Sequence, residues 1–427
     1  MTIVAGFWKR KGRRLRELAA VLTALAVLTA GAFFLLWRNR PVGPFTRGAV
    51  VLAAAVPIPE DQEAALTLLN QYFSLRCGSF GRAQGHEAEA ADGALPLAPA
   101  VRRNEADRIR ALRRLGRDWR CRFSGAAADL RVEGWREDNG DVVCLAYEFV
   151  WFDNWYPGFT DPDSADRSGY GVRHALRLRR RDDGWILLAD DYDEGRPTFA
   201  ATPDRLNNAD YLSYAGSPSD PESTVRSPSP ALLYPEPTYF EDFNPDGVIA
   251  YADRWADGRN RLEYPDLEPI GGDCCNFASQ CLYEGGGLPL TAVWTPFGDG
   301  HGSPAWISST KLFAALTGAS GQPAVGRGVA AFQTADRAGR RLRLSGKTVD
   351  ASAVLLPGSP VFYRWNGGFS LDGRWNHTAV CVGTMGDGAP AVSCHTADKV
   401  RIKWNYGGRT CDYGTVQMTP AADPFAG

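Results

Sequence analysis

Hydrophobic positions follow three different rhythms along the 427 residues. The first is an unbroken run, "LAAVLTALAVLTAGAFFLLW" (18–37), with no charge over twenty residues. At about 1.5 Å rise per residue it spans roughly 30 Å, the hydrocarbon thickness of a bilayer. The second rhythm is helical. In "PEDQEAALTLLNQYFSLRCG" (59–78), Ala64, Leu68, Leu69, Tyr72 and Leu75 fall at helical intervals, and Gly78 is a plausible stop. A basic helix is predicted over 104–116, starting at Asn104. The third rhythm is alternation. "LRVEGW" and "DVVCLAYEFVWF" flank a turn containing Asn139-Gly140, which predicts a hairpin. "GVRHALRLRRR" and "WILLADDY", joined by Asp182-Asp183-Gly184, predict a second one. Further along, "DGVIAYADRWADGRN" (246–260) returns to helical spacing, with Val248, Tyr251, Ala252 and Trp255 on one stripe.

These rhythms divide the chain. Helices followed by antiparallel hairpins predict a compact α+β spacer domain over 58–195. The Ser- and Pro-rich stretch at 216–238 cannot bury a core and is expected to be a linker. Residues 239–427 then form a second α+β domain. Within the first domain, His174 sits in an alternating strand with Arg173 and Arg177 on the other face, and is expected to be structural. The Arg179-Arg180-Arg181 run leads into a turn and is expected to be solvated.

Charge sharpens the reading of the N-terminus. "KRKGRRLR" (9–16) places six basic residues before the apolar run. Positive-inside logic keeps a basic tail, residues 1–17, in the cytoplasm and exports everything from about residue 40. Residues 18–37 are thus expected to be a transmembrane signal-anchor. Ala30-Gly31-Ala32 also fits a cleaved secretory signal, but the apolar run continues through Trp37, longer than such segments usually are. Either route puts the bulk of the chain outside the cytoplasm. A net charge of −2 gives no reason to expect nucleic acid as a partner.

Export matters because nine cysteines are present, an odd number, in a setting where disulfides are allowed. Three lie within "GGDCCNFASQC" (271–281). A metal clip would want paired ligands at two- to four-residue spacing, whereas Cys274 and Cys275 are adjacent and the chain has no C-x-x-C. A vicinal disulfide would be strained. The third reading is a reactive thiol, beside a disulfide cluster that the sequence leaves open. Asp273 is a good N-cap, Cys274 the first helical residue, and Phe277, Ala278, Cys281 and Leu282 an apolar stripe. The exposed N–H groups of a first turn favour a thiolate, although the Asp273 charge opposes it unless capping consumes that charge.

A thiol nucleophile needs a general base and an orienting partner for that base. "WNHTAVCVG" puts His377 at the start of an apolar strand, and "AVSCHTADKV" puts His395 at the end of the next. A hairpin through "TMGDGAP" is expected to make the two imidazoles neighbours on one face. His301, in a glycine-rich loop, and His86 receive no role. Cys281, seven residues after Cys274, and Cys381, four after His377, are expected to meet beneath the site as a thiol pair or disulfide.

The ordered blocks "YADRWADGRN", "GGDCCNFASQCLYEGG", "GSPAWISS", "WNHTAVCVG" and "SCHTAD" resemble the putative amidase domain family over about 239–407. That family is grouped with papain-like, NlpC-like and CHAP-like cell-wall hydrolases. The resemblance implies a Cys-bearing helix packed on an antiparallel sheet. It also implies Cys274 as nucleophile, His377 as base and His395 as the orienting residue. Cys275 stands where the family pattern leads one to expect a threonine-like residue. Asn276 and Gln280 are candidates to support the oxyanion, with capping and packing as the competing roles. No cofactor or metal is implied. The expected substrate is an amide bond, in cell-wall peptides for an exported enzyme. A silent surface-binding module of the same fold is the alternative.

Overall fold

The computed structural model describes residues 50–54, 62–82, 95–159, 166–193, 236–268, 273–296, 302–365, 375, 377–396, 398–408 and 411–421. The basic tail, the apolar run at 18–37, His86, His301, Gly271-Gly272 and the linker up to residue 235 lie outside them. Among the described residues no helix is long and apolar enough to cross a membrane.

Strand β1 (Val50–Ala54) lies parallel to β2 (Arg122–Asp138). Between them come α1 (Glu63–Arg82) and α2 (Pro99–Trp119). Helix α1 runs through Gly78 instead of stopping there, because the next turn is buried. Ser79 donates to Leu75 O, and Phe80 packs against Phe123 and Phe152. Helix α2 begins five residues before Asn104, with a proline where a first turn has no hydrogen bond to lose. Strands β2 and β3 (Asp141–Trp155) close at Asp138↔Asp141. Asn139 and Gly140 both adopt positive φ, 54° and 82°, the two-residue turn that matches strand twist.

Strand β4 (Asp166–Arg181) pairs along β3 and then with β5 (Gly184–Asp193). This hairpin places His174 in a charged cluster of the interior. Its Nδ1 lies 2.8 Å from Asp190 and its Nε2 3.3 Å from Glu148. Arg76 reaches both carboxylates and Glu105, and Arg108 reaches Glu105 and the Tyr170 hydroxyl. Arg173 is exposed and Arg177 partly so, on the other face of the strand.

In the second half, α3 (Pro245–Trp255) is capped by Asn244, whose side chain accepts from Gly247 N. It buries Val248, Ala252 and Trp255. Helix α4 (Cys274–Gln280) passes into a wider π turn over Cys281–Gly285, followed by α5 (Pro304–Ile307) and α6 (Ser309–Leu316). The remaining strands are β6 (Arg327–Thr334), β7 (Arg341–Leu344), β8 (Lys347–Asp350), β9 (Pro360–Trp365), β10 (His377–Thr384), β11 (Pro390–Cys394), β12 (Lys399–Lys403) and β13 (Cys411–Gln417). The architecture is α+β, with a large, mainly antiparallel sheet and few helices.

The described strands join in the order β1-β2-β3-β4-β12-β11-β10-β9-β13-β6-β7-β8, with β5 also on β4. Strand β5 covers only Arg173 to Arg181 of β4, so the free end of β4 takes up β12 through Lys399↔Tyr170 and Val400↔Gly169. Ser168 Oγ donates to Arg401 O at the same seam. One sheet therefore runs through both segments on either side of the Ser/Pro-rich stretch, and residues 47–427 form one compact unit.

Candidate active site

Helix α4 starts where the sequence suggests, but for a different reason. Asp273 is the N-cap and its carbonyl accepts from Phe277 N at 2.9 Å, yet its carboxylate caps nothing. Oδ1 accepts from Leu267 N at 3.1 Å and from Asn276 Nδ2 at 2.8 Å. Oδ2 lies 2.6 Å from His395 Nδ1 and 3.2 Å from Arg259 Nε. The Asp273 N–H donates to Thr396 Oγ1 at 2.8 Å. Asp273 thus ties the start of the helix to the end of β11.

All nine cysteines are free thiols, and Cys274 is the one that is not buried. The Thr378 N–H, the Ser309 hydroxyl and the Cys275 N–H face its sulfur and favour ionisation. Ser309 is itself placed by Thr378 Oγ1, which donates to it at 2.7 Å. Protein packed densely around the sulfur outweighs these donors, so the Cys274 thiol is raised above its ordinary pKa. The sequence expectation of a thiolate made by the helix start is corrected here. The helix has only seven residues, Asp273 adds a nearby negative charge, and desolvation dominates. Cys275 is buried, and burial followed by the neighbouring Cys274 pushes its thiol further up.

The bridge expected between Cys281 and Cys381 is absent. Both sulfurs lie in the apolar interior, and that of Cys381 is directed to Leu355 O at 3.5 Å. Four- and seven-residue spacing aligned the two along their own elements, and both end as free thiols in the same hydrophobic core.

The two histidines have different neighbours. The His377 ring packs edge-on to Tyr363 at 5.4 Å and Tyr406 at 6.2 Å. Burial, with the Lys399 ammonium nearby, lowers its pKa to about 3, so the imidazole is neutral at neutral pH. His395 stacks on Phe277 at a centroid distance of 4.0 Å, with Nε2 2.9 Å from Trp255 O. Register explains the difference. Val380 pairs with Ser393, so continuing the ladder by two residues sets His395 level with Thr378, not with His377. Side chains alternate along a strand, so His377 and Thr378 turn to opposite faces. The sequence placed both histidines at one end of a hairpin but missed their parity.

Asn276 and Gln280 brace the framework. Asn276 donates to Pro265 O and Asp273, and accepts from Trp306 Nε1 at 2.8 Å. Gln280 Oε1 accepts from the Tyr251 hydroxyl at 3.0 Å. The sequence reading left out Ser309 and Thr378, which face the sulfur, and Arg259, whose guanidinium meets Asp266, Glu268, Asp273 and Asp398. Arg259 does lie in the quoted "ADGRN" block, and an arginine just ahead of an acidic stretch carrying Asp266 and Glu268 is the signal that could have found it.

The site thus places a half-buried thiol at the start of a helix beside an antiparallel sheet, with two buried histidines, His377 and His395, at one end of that sheet. Residues 242–417 match the model of the family described as "Putative amidase domain". The "Uncharacterized protein YhbB" of Bacillus subtilis (strain 168) is 28% identical over 163 residues. That alignment covers 38% of this chain and 43% of the relative, so it spans less than half of the relative's length. No solved structure matches the chain.

Proposed function

We propose that the protein is a membrane-anchored, extracytoplasmic amidase of papain-like design that cleaves amide bonds in cell-wall peptides, with Cys274 as nucleophile. The observation that carries this reading is Cys274, the one cysteine of the nine that is not fully buried, its sulfur faced by Thr378, Ser309 and Cys275 donors. The family match supports amide chemistry. Anchoring and orientation rest on the apolar run at 18–37 and its basic flank.

Because the resting thiol is neutral, its proton leaves as the sulfur attacks the carbonyl carbon. We assign the general-base role to His377, which is neutral and one residue along from the Thr378 N–H facing the sulfur, and which must turn from its Tyr363 and Tyr406 packing to take that proton. N–H groups at the start of α4 stabilise the oxyanion. The imidazolium then protonates the departing amine, leaving a thioester. Water attacks the thioester, giving its proton to His377, and the carboxylic acid leaves as Cys274 regains its proton. His395, held by Asp273 and the Trp255 carbonyl, fixes the helix start against β11.

The Asp273–His395 pair favours a second assignment, with the base on the α4 face. Purified full-length protein incubated with peptidoglycan separates the possibilities. Cys274→Ser and His377→Ala should each abolish turnover, while Cys275→Ser should retain it. Loss in Cys275→Ser alone overturns the nucleophile assignment. Turnover surviving in His377→Ala but lost in His395→Ala moves the base to His395. No turnover by wild type on any wall or peptide supports the silent binding module.

A further inference from the structure

The 50–193 segment reaches into the site through a chain of hydrogen bonds and one ion pair, Arg259 to Asp273, that the family segment alone does not contain. Tyr147, on β3, donates its hydroxyl proton to Asp398 Oδ2 at 2.7 Å. Arg259 grips the same carboxylate at both oxygens, Nη1 to Oδ2 at 3.1 Å and Nη2 to Oδ1 at 2.8 Å. Arg259 Nε lies 3.2 Å from Asp273 Oδ2, which itself meets His395 Nδ1 at 2.6 Å. From the phenol to the residue before the proposed nucleophile there are two side chains, both charged and largely buried.

The backbone secures the same point. Gly171 N donates to Asp398 O at 2.7 Å, one residue along β4 from the pairing with β12. Only glycine fits there, since a Cβ at 171 would lie 2.1 Å from the Tyr147 hydroxyl. The Tyr147 ring is held between the guanidinium carbons of Arg131 at 5.1 Å and Arg173 at 5.5 Å. Burial, then the Asp398 carboxylate, keeps the phenol protonated and so able to donate. Burial alone would raise Asp398, but Arg259 and His395 hold its carboxyl down at about 2.

We propose that Tyr147 is a positioning residue for the site, acting through Asp398 and Arg259 on the Asp273–His395 pair and thereby on the start of helix α4. The 50–193 segment is then a working part of the amidase centre and not a spacer. Removing the hydroxyl leaves Asp398 one donor short. Arg259 moves to compensate, its Nε slackens from Asp273, and the carboxylate beside Cys274 changes its share between Arg259 and His395. This deepens the amidase reading and rests on it for its effect on turnover, but not for its effect on the thiol.

Full-length wild type and Tyr147→Phe are compared by three measurements: peptidoglycan turnover, the pH dependence of Cys274 alkylation by iodoacetamide read by peptide mass mapping, and the ring nitrogen resonances of His395. Wild-type alkylation should keep rising beyond pH 9. In Tyr147→Phe, kcat should fall about tenfold, the size of one lost hydrogen bond to a charged group, with KM nearly unchanged. Its alkylation profile should shift along the pH axis and the His395 signals should move. Asp398→Asn should move both in the same sense. Superimposable alkylation profiles and unchanged His395 resonances in Tyr147→Phe overturn the proposal, even where its melting temperature drops. If wild type shows no turnover on any substrate while the profile and resonances still shift, the amidase reading fails and the coupling stands.

Discussion

Arg76, Arg108 and His174 are buried with Glu105, Glu148 and Asp190, three cations against three carboxylates. Burial opposes charge on His174, but Asp190 and Glu148 outweigh it and raise its pKa. Burial likewise opposes charge on Glu148, yet Arg76 and His174 hold it down at about 2. The linkage signs then differ. His174 stabilises fully below its unfolded value of 6.5, and that contribution is lost as pH rises through its folded pKa. Glu148 stabilises above its unfolded value of 4.5, and its contribution is lost as pH falls through about 2. Both act together between those unfolded values. Arg76→Met should cost about 3–5 kcal/mol near pH 5.5, because it leaves buried carboxylates uncompensated. Urea titration measures this, and a loss below about 1 kcal/mol would mean that the cluster relaxes to neutral forms. The sequence identified His174 as structural by its alternation but not its partners, which come from α1, α2, β3 and β5.

At the scale of elements, local rules were readable and long-range ones were not. The β2–β3 turn was legible because Asn-Gly accepts positive φ at both positions. Helix ends were misjudged wherever tertiary packing decided them, as at Gly78, where the burial of Phe80 extends α1 by a full turn. The β4–β12 seam has two paired positions and no periodic signature, so nothing in the chain announces it. Gly171 is its clearest trace. Gly171→Ala should displace the Tyr147 phenol and destabilise the protein by about 1–3 kcal/mol through overpacking. Chemical denaturation checks this, and a wild-type midpoint would show that β4 yields at that point without strain.

Across the whole molecule, the sheet makes the two segments one mechanical object. Lys403, on β12, donates to Asp387 at 2.5 Å, to Ala338 O at 2.8 Å and to Trp119 O at 3.4 Å, adding a buried tie back to α2. Residues 47–427 are therefore expected to unfold in a single calorimetric transition. Two separated transitions would show that the seam is too weak to couple the segments. Of the candidate site, local blocks of sequence carry the residues proposed above, Cys274, His377 and His395. It hid Tyr147 and the geometry of Arg259, since buried ion partners are matched across the fold and not along the sequence.

The sealing of eight sulfurs has a consequence for an odd-numbered set of cysteines. In an oxidising compartment, random cross-linking needs two thiols that an oxidant can reach, and the folded chain offers one. Mispairing is then confined to the interval before folding is complete, and the folded molecule can keep one half-buried thiol without a dedicated partner to guard it.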